Sequence, residues 1–253
     1  MYNKFLKYNS FFISSIYSLW VFLSDKLRFT NHILENKSKY ITIYCIRHAE
    51  SVSNAHKRYN IKHLKLWDFF FGKYKEIIDP PLSSEGIKKL NMFINNGGPI
   101  IEGEKLLGQV SLLLTSNLHR SLQTSIAIAG ATKNCKIYCL ESLREIGFET
   151  SDIPSMTKAD IMREFPNIDV SLLSEQESKI LLPESIDSVD NRIQQLFNFL
   201  KTVERNNKVL LVSHLYFLKK LFKEWPWWYI SNLGIIVAVV DLDKGKVIQF
   251  KRI

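Results

Sequence analysis

Four short apolar runs recur along the chain, and each is typical of a strand that is buried on both faces of a sheet. They cover residues 41–46, 110–115, 136–140 and 209–213. Stretches with helical periodicity lie between them. Strands that alternate with helices predict an α/β fold, and we expect a three-layer α/β/α sandwich around a mostly parallel central sheet.

The same patterns predict helices and a closing hairpin. The helical stretch with the clearest limits begins at Ser84 and ends before the Gly97-Gly98 pair, which is a strong stop signal. Two runs joined by a turn that contains Gly245 predict a hairpin of residues 234–242 and 246–251. The predicted helices cover residues 84–95, 118–131, 158–165, 186–205 and 215–223.

Residues that can carry chemistry follow the ends of the predicted strands. In an open α/β sheet, the carboxyl ends of the strands line the crevice where ligands bind. Ser116, after the second strand, is predicted to cap a helix whose first turn presents an arginine. Four predicted strands are followed, in chain order, by Arg47 and His48, by Arg120, by Glu145 and by His214. We therefore predict one convergent site.

Imidazoles beside guanidinium groups point to phosphoryl chemistry, because phosphoryl transfer needs positive charge around three equatorial oxygens and an in-line nucleophile. We expect Arg47, Arg120 and a protonated His214 to form the positive pocket, with Asn54 as a neutral donor. His48 is the predicted nucleophile. Its other ring nitrogen needs an acceptor that fixes the tautomer, and we expect a backbone carbonyl in the loop after the strand.

Glu145 is the predicted general acid and base. It would protonate the leaving oxygen and then take a proton from the attacking water. Because it must be protonated part of the time, we expect its pKa to be raised. No His or Cys pair has zinc-ligand spacing that another feature supports, so the predicted mechanism needs neither a metal nor a cofactor.

From about residue 41 to 242 the chain resembles the histidine phosphatase superfamily, in its phosphoglycerate mutase-like branch. The resemblance rests on several motifs in the right order. They are RH-x-E-S-x-x-N at 47–54 with Arg58-Tyr59 after it, Pro81 to Gly86, S-x-L-x-R-x-x-Q-T at 116–124, Leu143-x-Glu145 and Val212-Ser213-His214. It implies a phosphatase that forms a phosphohistidine and acts on a phosphorylated small molecule or a phosphoprotein. Arg58, where the mutase-like branch often has arginine, is a further candidate for substrate contact.

Two alternatives to hydrolysis stay open. A cofactor-dependent phosphoglycerate mutase uses the same residues, but the longer mutase-specific stretches after Arg58 and Glu145 are not found, which favours the hydrolase. A catalytically weak phosphate-binding scaffold is the second alternative. It is motivated by Leu215, because glycine usually follows the second histidine and leucine could shift His214 or narrow the pocket. Ala49, where glycine is common, is a smaller departure.

Composition agrees with an enzyme domain plus an extension. The chain has 253 residues, of which 46% are hydrophobic and 23% charged, as in ordinary globular proteins. The formal net charge is +9, of which +4 falls in residues 1–40. The remainder suits an anionic substrate, and without a basic helix or aromatic-basic repeat we expect no nucleic-acid partner. The three cysteines form no disulfide framework, which favours a reducing, cytoplasmic location.

The N-terminal segment, residues 1–40, is predicted to be an extension to a catalytic domain of residues 41–253. Residues 8–24 form an uncharged, largely apolar run of 17 residues, at the lower limit for a membrane span. Membrane attachment or targeting, docking on the domain as an amphipathic helix, and disorder are the three alternatives. The oligomeric state is not indicated.

Residues 56–74 combine several lysines with aromatic side chains directly after the nucleophile loop. They predict either a lid whose cations contact a second anionic group of the substrate, or a packed insertion with a solvated basic edge. Residues 151–176 are expected to form the opposite wall of the site.

Overall fold

The computed structural model describes residues 39–65, 67–68, 72, 77–132, 134–174, 182–223 and 229–253. The predicted N-terminal extension, with its apolar run at 8–24, lies outside these ranges except for Lys39 and Tyr40. Part of the predicted lid also lies outside them. Within the described ranges, no helix has both the length and the apolar composition needed to cross a membrane.

A six-stranded sheet forms the centre of the fold. Its strands are β1 (Tyr40–Arg47), β4 (Leu112–Thr115), β5 (Lys136–Cys139), β6 (Val209–Ser213), β7 (Ile235–Asp241) and β8 (Lys246–Arg252), and a separate two-stranded ribbon consists of β2 (Ile100–Ile101) and β3 (Glu104–Lys105). The order across the large sheet is β5-β4-β6-β1-β7-β8. The first four of these strands are parallel to one another, and the last two join as an antiparallel hairpin.

Helices cover both faces of this sheet. In the part of the chain that the structure describes they are α1 (Val52–Lys62), α2 (Ser84–Asn95), α3 (Leu106–Gln109), α4 (His119–Gly130), α5 (Lys158–Glu164), α6 (Ile186–Thr202) and α7 (Leu215–Leu221). Two 3₁₀ turns, Glu141–Leu143 and Thr150–Asp152, follow β5.

The core has two halves because alternate side chains of a strand point to opposite faces. Ile43 and Cys45 of β1 pack in the half that contains α6 and α7. Tyr44 and Ile46 pack in the half that contains α2, α4 and α5. The fold is therefore the predicted three-layer α/β/α sandwich with a mostly parallel sheet.

Several predicted boundaries differ from the observed ones for local reasons. The second predicted strand, 110–115, begins only at Leu112, and the two residues before it connect the strand to the short helix α3, which ends at Gln109. Helix α6 ends at Thr202, since Val203 adopts an extended conformation. Hydrophobic periodicity missed α1, whose buried residues are the polar Ser53 and Asn60. A helix that packs through polar side chains leaves no apolar stripe in the sequence.

At Gly86 the start of α2 packs closely against the backbone of the loop that follows β1. We expect replacement of this glycine to destabilise the fold. A Cβ atom at this position would lie 2.1 Å from the carbonyl oxygen of Glu50. Gly86→Ala should therefore lower the free energy of unfolding by at least about 1–3 kcal/mol, the usual range for overpacking. Urea unfolding of the full chain measures this change.

Gly108→Ala is the matched control, because Gly108 also lies in a helix and a Cβ there meets nothing within 4 Å. It should be neutral or stabilising, by up to about 1 kcal/mol. Equal effects of the two substitutions would contradict the proposed close packing at Gly86.

Candidate active site

A cleft of about 1010 Å³ opens where β1 ends, at the carboxyl edge of the parallel strands. Its walls come from the loop after β1, helix α1, the segment after β5 and residues 229–232. The lining includes Arg47, His48, Asn54, Arg120, Glu145 and Asp152. The sheet thus brings together side chains that are far apart in the sequence, as predicted from their positions at strand ends.

The two histidines meet because their strands are adjacent and parallel. Arg47, the last residue of β1, lies opposite Ser213, the last residue of β6. The next residues along each strand are His48 and His214. The backbone N–H of His48 donates to the carbonyl of Ser213 at 3.0 Å. The two imidazole centroids are 4.9 Å apart.

His48 is held in a defined tautomer. Its Nδ1 lies 2.7 Å from the carbonyl oxygen of Ala49. Since a carbonyl oxygen can only accept, Nδ1 carries the proton and Nε2 keeps its lone pair. This is the backbone acceptor expected from the sequence. Burial lowers the pKa of His48 well below its usual value, and the charges of Arg120 and Arg47 lower it further. The ring is therefore neutral and can act as a nucleophile.

His214 is neutral as well, which corrects the expectation of a protonated ring. Burial lowers its pKa well below the usual value, and Arg120, His48 and Arg47 act in the same direction. Its Nε2 lies 2.6 Å from Oγ of Ser116. Its Nδ1 is buried without a hydrogen-bond partner among the described residues. His214 can contribute a hydrogen bond in this state, but not a full positive charge.

Ser116 was expected to cap the following helix, and this expectation is wrong. The first N–H of α4, from His119, is bound instead by Oδ1 of Asp79 at 2.8 Å. Residue 118 is the last before the helix and makes no side-chain cap. The Ser116 hydroxyl is therefore directed to His214, because β4 lies beside β6 and both strands end at the same edge.

Two buried arginines supply the positive charge of the site. Nη1 of Arg47 donates to the carbonyl of Ile230 at 2.8 Å, and its guanidinium lies 5.6 Å from the centroid of the Tyr229 ring. Nε of Arg47 is buried and finds no partner in the described ranges. Arg120, in the first turn of α4, is 4% exposed. Both guanidinium groups are thus fixed and largely withdrawn from solvent.

Arg120 is held by carboxylates in the free protein. Its Nη2 donates to Oδ1 of Asp152 at 3.2 Å, and its Nη1 donates to the carbonyl of Ser151 at 2.7 Å. Asp79 lies 3.9 Å from the same guanidinium. Asp152 was not among the site residues predicted from the sequence, because it ends a short 3₁₀ turn without hydrophobic periodicity and reaches Arg120 through the chain path after β5.

Glu145 lies at the N-terminal end of α7. Its Oε1 accepts from the backbone N–H of Phe217 at 2.9 Å and of Ile146 at 3.0 Å, and its Oε2 accepts from Tyr216 at 3.3 Å. Burial raises its pKa to about 7, and the negative charge of Asp152 adds to the rise, whereas the N–H groups of Phe217 and Ile146 and the charge of Arg120 oppose it. The expected rise is therefore present, and the carboxyl group exchanges a proton near neutral pH.

Asn54 and Arg58 both line the cleft from α1. Oδ1 of Asn54 accepts from Nδ2 of Asn232 at 3.4 Å, which leaves the Asn54 amide nitrogen as the donor for a ligand. Nη1 of Arg58 lies 2.8 Å from Oε2 of Glu50, and about half of the Arg58 side chain (52%) is exposed. Arg58 is thus a charged group on the wall of the cleft rather than part of its buried floor.

An ion pair joins helix α1 to the segment that follows β5. Nζ of Lys57 in α1 donates to Oε2 of Glu149 at 2.6 Å. Both residues line the cleft. The helical part of the basic segment 56–74 therefore contacts Glu149, which lies just before the residues 151–176 predicted as the opposite wall. In the part of the chain that the structure describes, no group of three or more His, Cys, Asp or Glu residues is arranged to hold a metal ion.

Comparison with known proteins gives the family. The sequence model of the histidine phosphatase superfamily, branch 1, matches residues 71–233. The chain belongs to this superfamily. Phosphoglycerate mutase-like protein 1 of Arabidopsis thaliana is 24% identical over an aligned length of 208, and the match covers 70% of this chain and 69% of that protein. The resemblance seen in the sequence is thereby confirmed.

Solved structures agree with the fold. A candidate α-ribazole-5′-P phosphatase of Escherichia coli is 15% identical and has a TM-score of 0.51, with 84% of this chain and 96% of that chain covered. The ecdysone phosphate phosphatase of Bombyx mori is 13% identical and has a TM-score of 0.50, with coverages of 78% and 88%. At these identities the likeness shows a shared histidine phosphatase fold.

Leu215 is compatible with the site of this histidine phosphatase. It is the first residue of α7, and it is not among the residues with positive φ, so the backbone there does not require glycine. Its side chain packs into the core half that contains α6 and also lines the cleft. The contacts of His214 with Ser116 and His48 are formed with leucine in place.

Proposed function

We propose that this histidine phosphatase hydrolyses phosphomonoesters through a phosphohistidine on His48, without a metal ion. The observation that carries the proposal is a pair of buried nitrogens without partners among the described residues, Nε of Arg47 and Nδ1 of His214, beside His48, whose lowered pKa favours the neutral ring. Nδ1 of His214 is a donor when the Ser116 hydroxyl donates to Nε2 of the same ring. Buried polar groups are nearly always satisfied, and a phosphoryl group would satisfy both. Arg47 and Arg120 supply the charge that a metal ion supplies in other phosphatases.

The first half of the reaction transfers the phosphoryl group to the protein. Nε2 of His48 attacks phosphorus, and the bond between phosphorus and the ester oxygen breaks. Protonated Glu145 gives its proton to the leaving oxygen. The phosphorylated imidazole keeps its Nδ1 proton, which the carbonyl of Ala49 binds. Arg47, Arg120, Asn54 and His214 donate to the three equatorial oxygens.

The second half releases phosphate. Glu145, now a carboxylate, takes a proton from a water molecule whose oxygen attacks phosphorus. The bond between phosphorus and Nε2 breaks, and His48 becomes neutral again. One ester and one water molecule yield one alcohol and one phosphate, and Glu145 returns to its protonated state. The substrate class proposed is a phosphorylated small molecule or a phosphoprotein.

Turnover of p-nitrophenyl phosphate by the purified full chain tests the proposal, with a chelator present throughout. We expect hydrolysis that the chelator does not reduce, and a covalent intermediate after rapid quenching. A phosphorus–nitrogen bond survives alkali and breaks in acid, whereas a phosphoserine behaves in the opposite way. Peptide mapping should place the group on His48. Loss of all turnover with the chelator, or a phosphoryl group elsewhere, would contradict the mechanism.

A phosphoglycerate mutase is the second candidate, favoured by the mutase-like name of the Arabidopsis relative. Both reactions share the phosphohistidine and differ in whether water or a second hydroxyl accepts the phosphoryl group. Incubation with 3-phosphoglycerate and 2,3-bisphosphoglycerate distinguishes them. Formation of 2-phosphoglycerate faster than free phosphate would support the mutase, and release of phosphate alone would support the hydrolase.

A further inference from the structure

A buried ion pair lies directly behind Glu145 and outside the cleft. Arg192 of α6 and Glu184, just before that helix, expose only 8% and 5% of their side chains. Neither residue lines the cleft. Nε and Nη2 of Arg192 donate to the two carboxylate oxygens of Glu184 at 2.9 and 2.7 Å. This is the bidentate geometry that favours arginine over lysine.

The remaining donors of Arg192 bind the backbone that carries Glu145. Nη1 donates to the carbonyl of Ser142 at 3.1 Å and to that of Arg144 at 2.8 Å. Nη2 donates to the carbonyl of Glu145 itself at 3.4 Å. With the two bonds to Glu184, all five N–H groups of the guanidinium are used. One side chain thus fixes the whole turn that ends at Glu145.

Glu184 and Arg192 also contact residues that follow Glu145 in the sequence. Glu184 accepts from the N–H of Gly147 at 3.3 Å, and its own N–H donates to the carbonyl of Gly147 at 2.9 Å. The guanidinium of Arg192 lies 5.4 Å from the ring centroid of Phe217. The N–H of Phe217 is one of the donors that hold the Glu145 carboxyl group. Arg192 therefore contacts both the backbone of Glu145 and Phe217, the residue whose N–H binds the Glu145 carboxyl group.

Glu184 remains charged over the whole range in which the enzyme would work. Burial alone would raise its pKa, but the hydrogen bonds and charge of Arg192, together with Ser188 and Arg144, lower it to about 2. Glu184 pairs with both Arg192 and Arg144, so its removal would leave two buried guanidinium groups without their shared carboxylate, which is a large cost. Such a pair is a weak source of stability, so a role in geometry accounts for it better.

We propose that Arg192 and Glu184 are positioning residues for the general acid, because their contacts fix the backbone on both sides of Glu145. The inference rests on the proposed function, in which Glu145 protonates the leaving oxygen. A displacement of about 1 Å at a reacting group can reduce a rate by about 10²-fold. Neither residue contacts the nucleophile or the phosphate-binding arginines, so the loss should fall on the two proton transfers of Glu145. The value of kcat/KM covers only the first half of the reaction and therefore reports protonation of the leaving oxygen.

Two substrates with different leaving groups distinguish a displaced Glu145 from a general loss of structure in the active site. Glycerol phosphate has a poor leaving group that needs a proton, whereas p-nitrophenolate leaves as an anion. In the full chain, Arg192→Lys should lower kcat/KM for glycerol phosphate by about 10²-fold and for p-nitrophenyl phosphate by less than about tenfold. Equal losses on the two esters would overturn the proposal. Glu184→Gln, the second variant should Arg192→Lys not fold, should give the same selective loss.

Phe197→Leu is the matched control, because Phe197 is a buried residue of the same helix that packs in the core. It should lower the melting temperature without changing the ratio of the two activities. A double variant adds a second test. In a Glu145→Gln background, Arg192→Lys should cause no further loss on glycerol phosphate, since no general acid is left to position. A further hundredfold loss would overturn the proposal.

The titration of Glu145 gives a readout that needs no activity. Carboxyl-carbon NMR should place its midpoint near pH 7 in the wild-type chain, as its pKa of about 7 requires. Arg192→Lys should move the midpoint upward, because the N–H donors of Phe217 and Ile146 that lower the pKa are loosened. An unchanged or lower midpoint for Glu145 in Arg192→Lys would overturn the proposal that Arg192 positions the general acid. If no ester is hydrolysed by the wild-type chain, the proposed function fails while this titration still decides the role of Arg192.

Discussion

His48→Asn is expected to lower kcat for p-nitrophenyl phosphate by at least about 10⁴-fold, a loss like that on removing the nucleophile of other covalent hydrolases. Asparagine has no basic nitrogen that could attack phosphorus. Its side chain still fits beside Ala49, so the loop after β1 should keep its conformation. Steady-state hydrolysis measures the loss, and rapid quenching should show no covalent phosphoryl group on the variant.

His119→Asn is the matched control for this substitution. The His119 side chain does not line the cleft, and its Nε2 contacts Glu164 of α5 at 3.1 Å. The bond from its backbone to Asp79 does not depend on the side chain. This variant should hydrolyse the substrate at close to the wild-type rate. Substantial turnover by His48→Asn, with both variants folded, would exclude His48 as the nucleophile.

Glu145→Gln is expected to lower kcat/KM for glycerol phosphate by about 10²–10⁴-fold, the usual contribution of a general acid. The effect depends on pH because the protonated form of Glu145 is the active one in the first step. With a pKa of about 7, the wild-type kcat/KM should fall as the pH rises above that value. Glutamine does not ionise, so the variant should lack this fall.

A pH profile of kcat/KM from 5 to 9 on both esters measures the two effects. The alkyl ester should show the large loss, whereas p-nitrophenyl phosphate should show a smaller one because its leaving group needs no proton. Melting temperatures check that the variant is folded. A wild-type alkaline limb that persists unchanged in Glu145→Gln would assign the ionisation to another group and would remove Glu145 from the role of general acid.

The layers of the fold could be predicted from the sequence because they rest on local patterns. The run at 209–213 is buried along its whole length in β6, and the stop signal at Gly97 ends α2 where expected. Helix α1 could not be found this way, because polar residues form its buried face. Its place in the cleft is decided by the loop after β1, not by periodicity.

Most residues of the candidate site could also be predicted, because the carboxyl edge of a parallel sheet collects whatever follows each strand. His48 and His214 lie side by side for this reason. Asp152 and Arg192 could not be predicted. Each acts through contacts with residues far away in the sequence, and a lone acid or arginine in an irregular segment or on a helix carries no signal of its own.

The six strands of the central sheet, the helices α2 and α4 to α7 and most of the chemical groups at the sheet edge follow from side-chain periodicity and chain order, so the amino-acid sequence predicts them. The protonation states of His214 and Glu145, and the contacts that hold the Glu145 backbone, depend on the folded arrangement of distant residues. Burial beside two arginines makes His214 neutral where a cation was expected. Burial and Asp152 bring the pKa of Glu145 to about 7, and Arg192 holds its backbone in place. Charge and position at a buried site depend on the summed field and contacts of distant residues, which no local pattern contains.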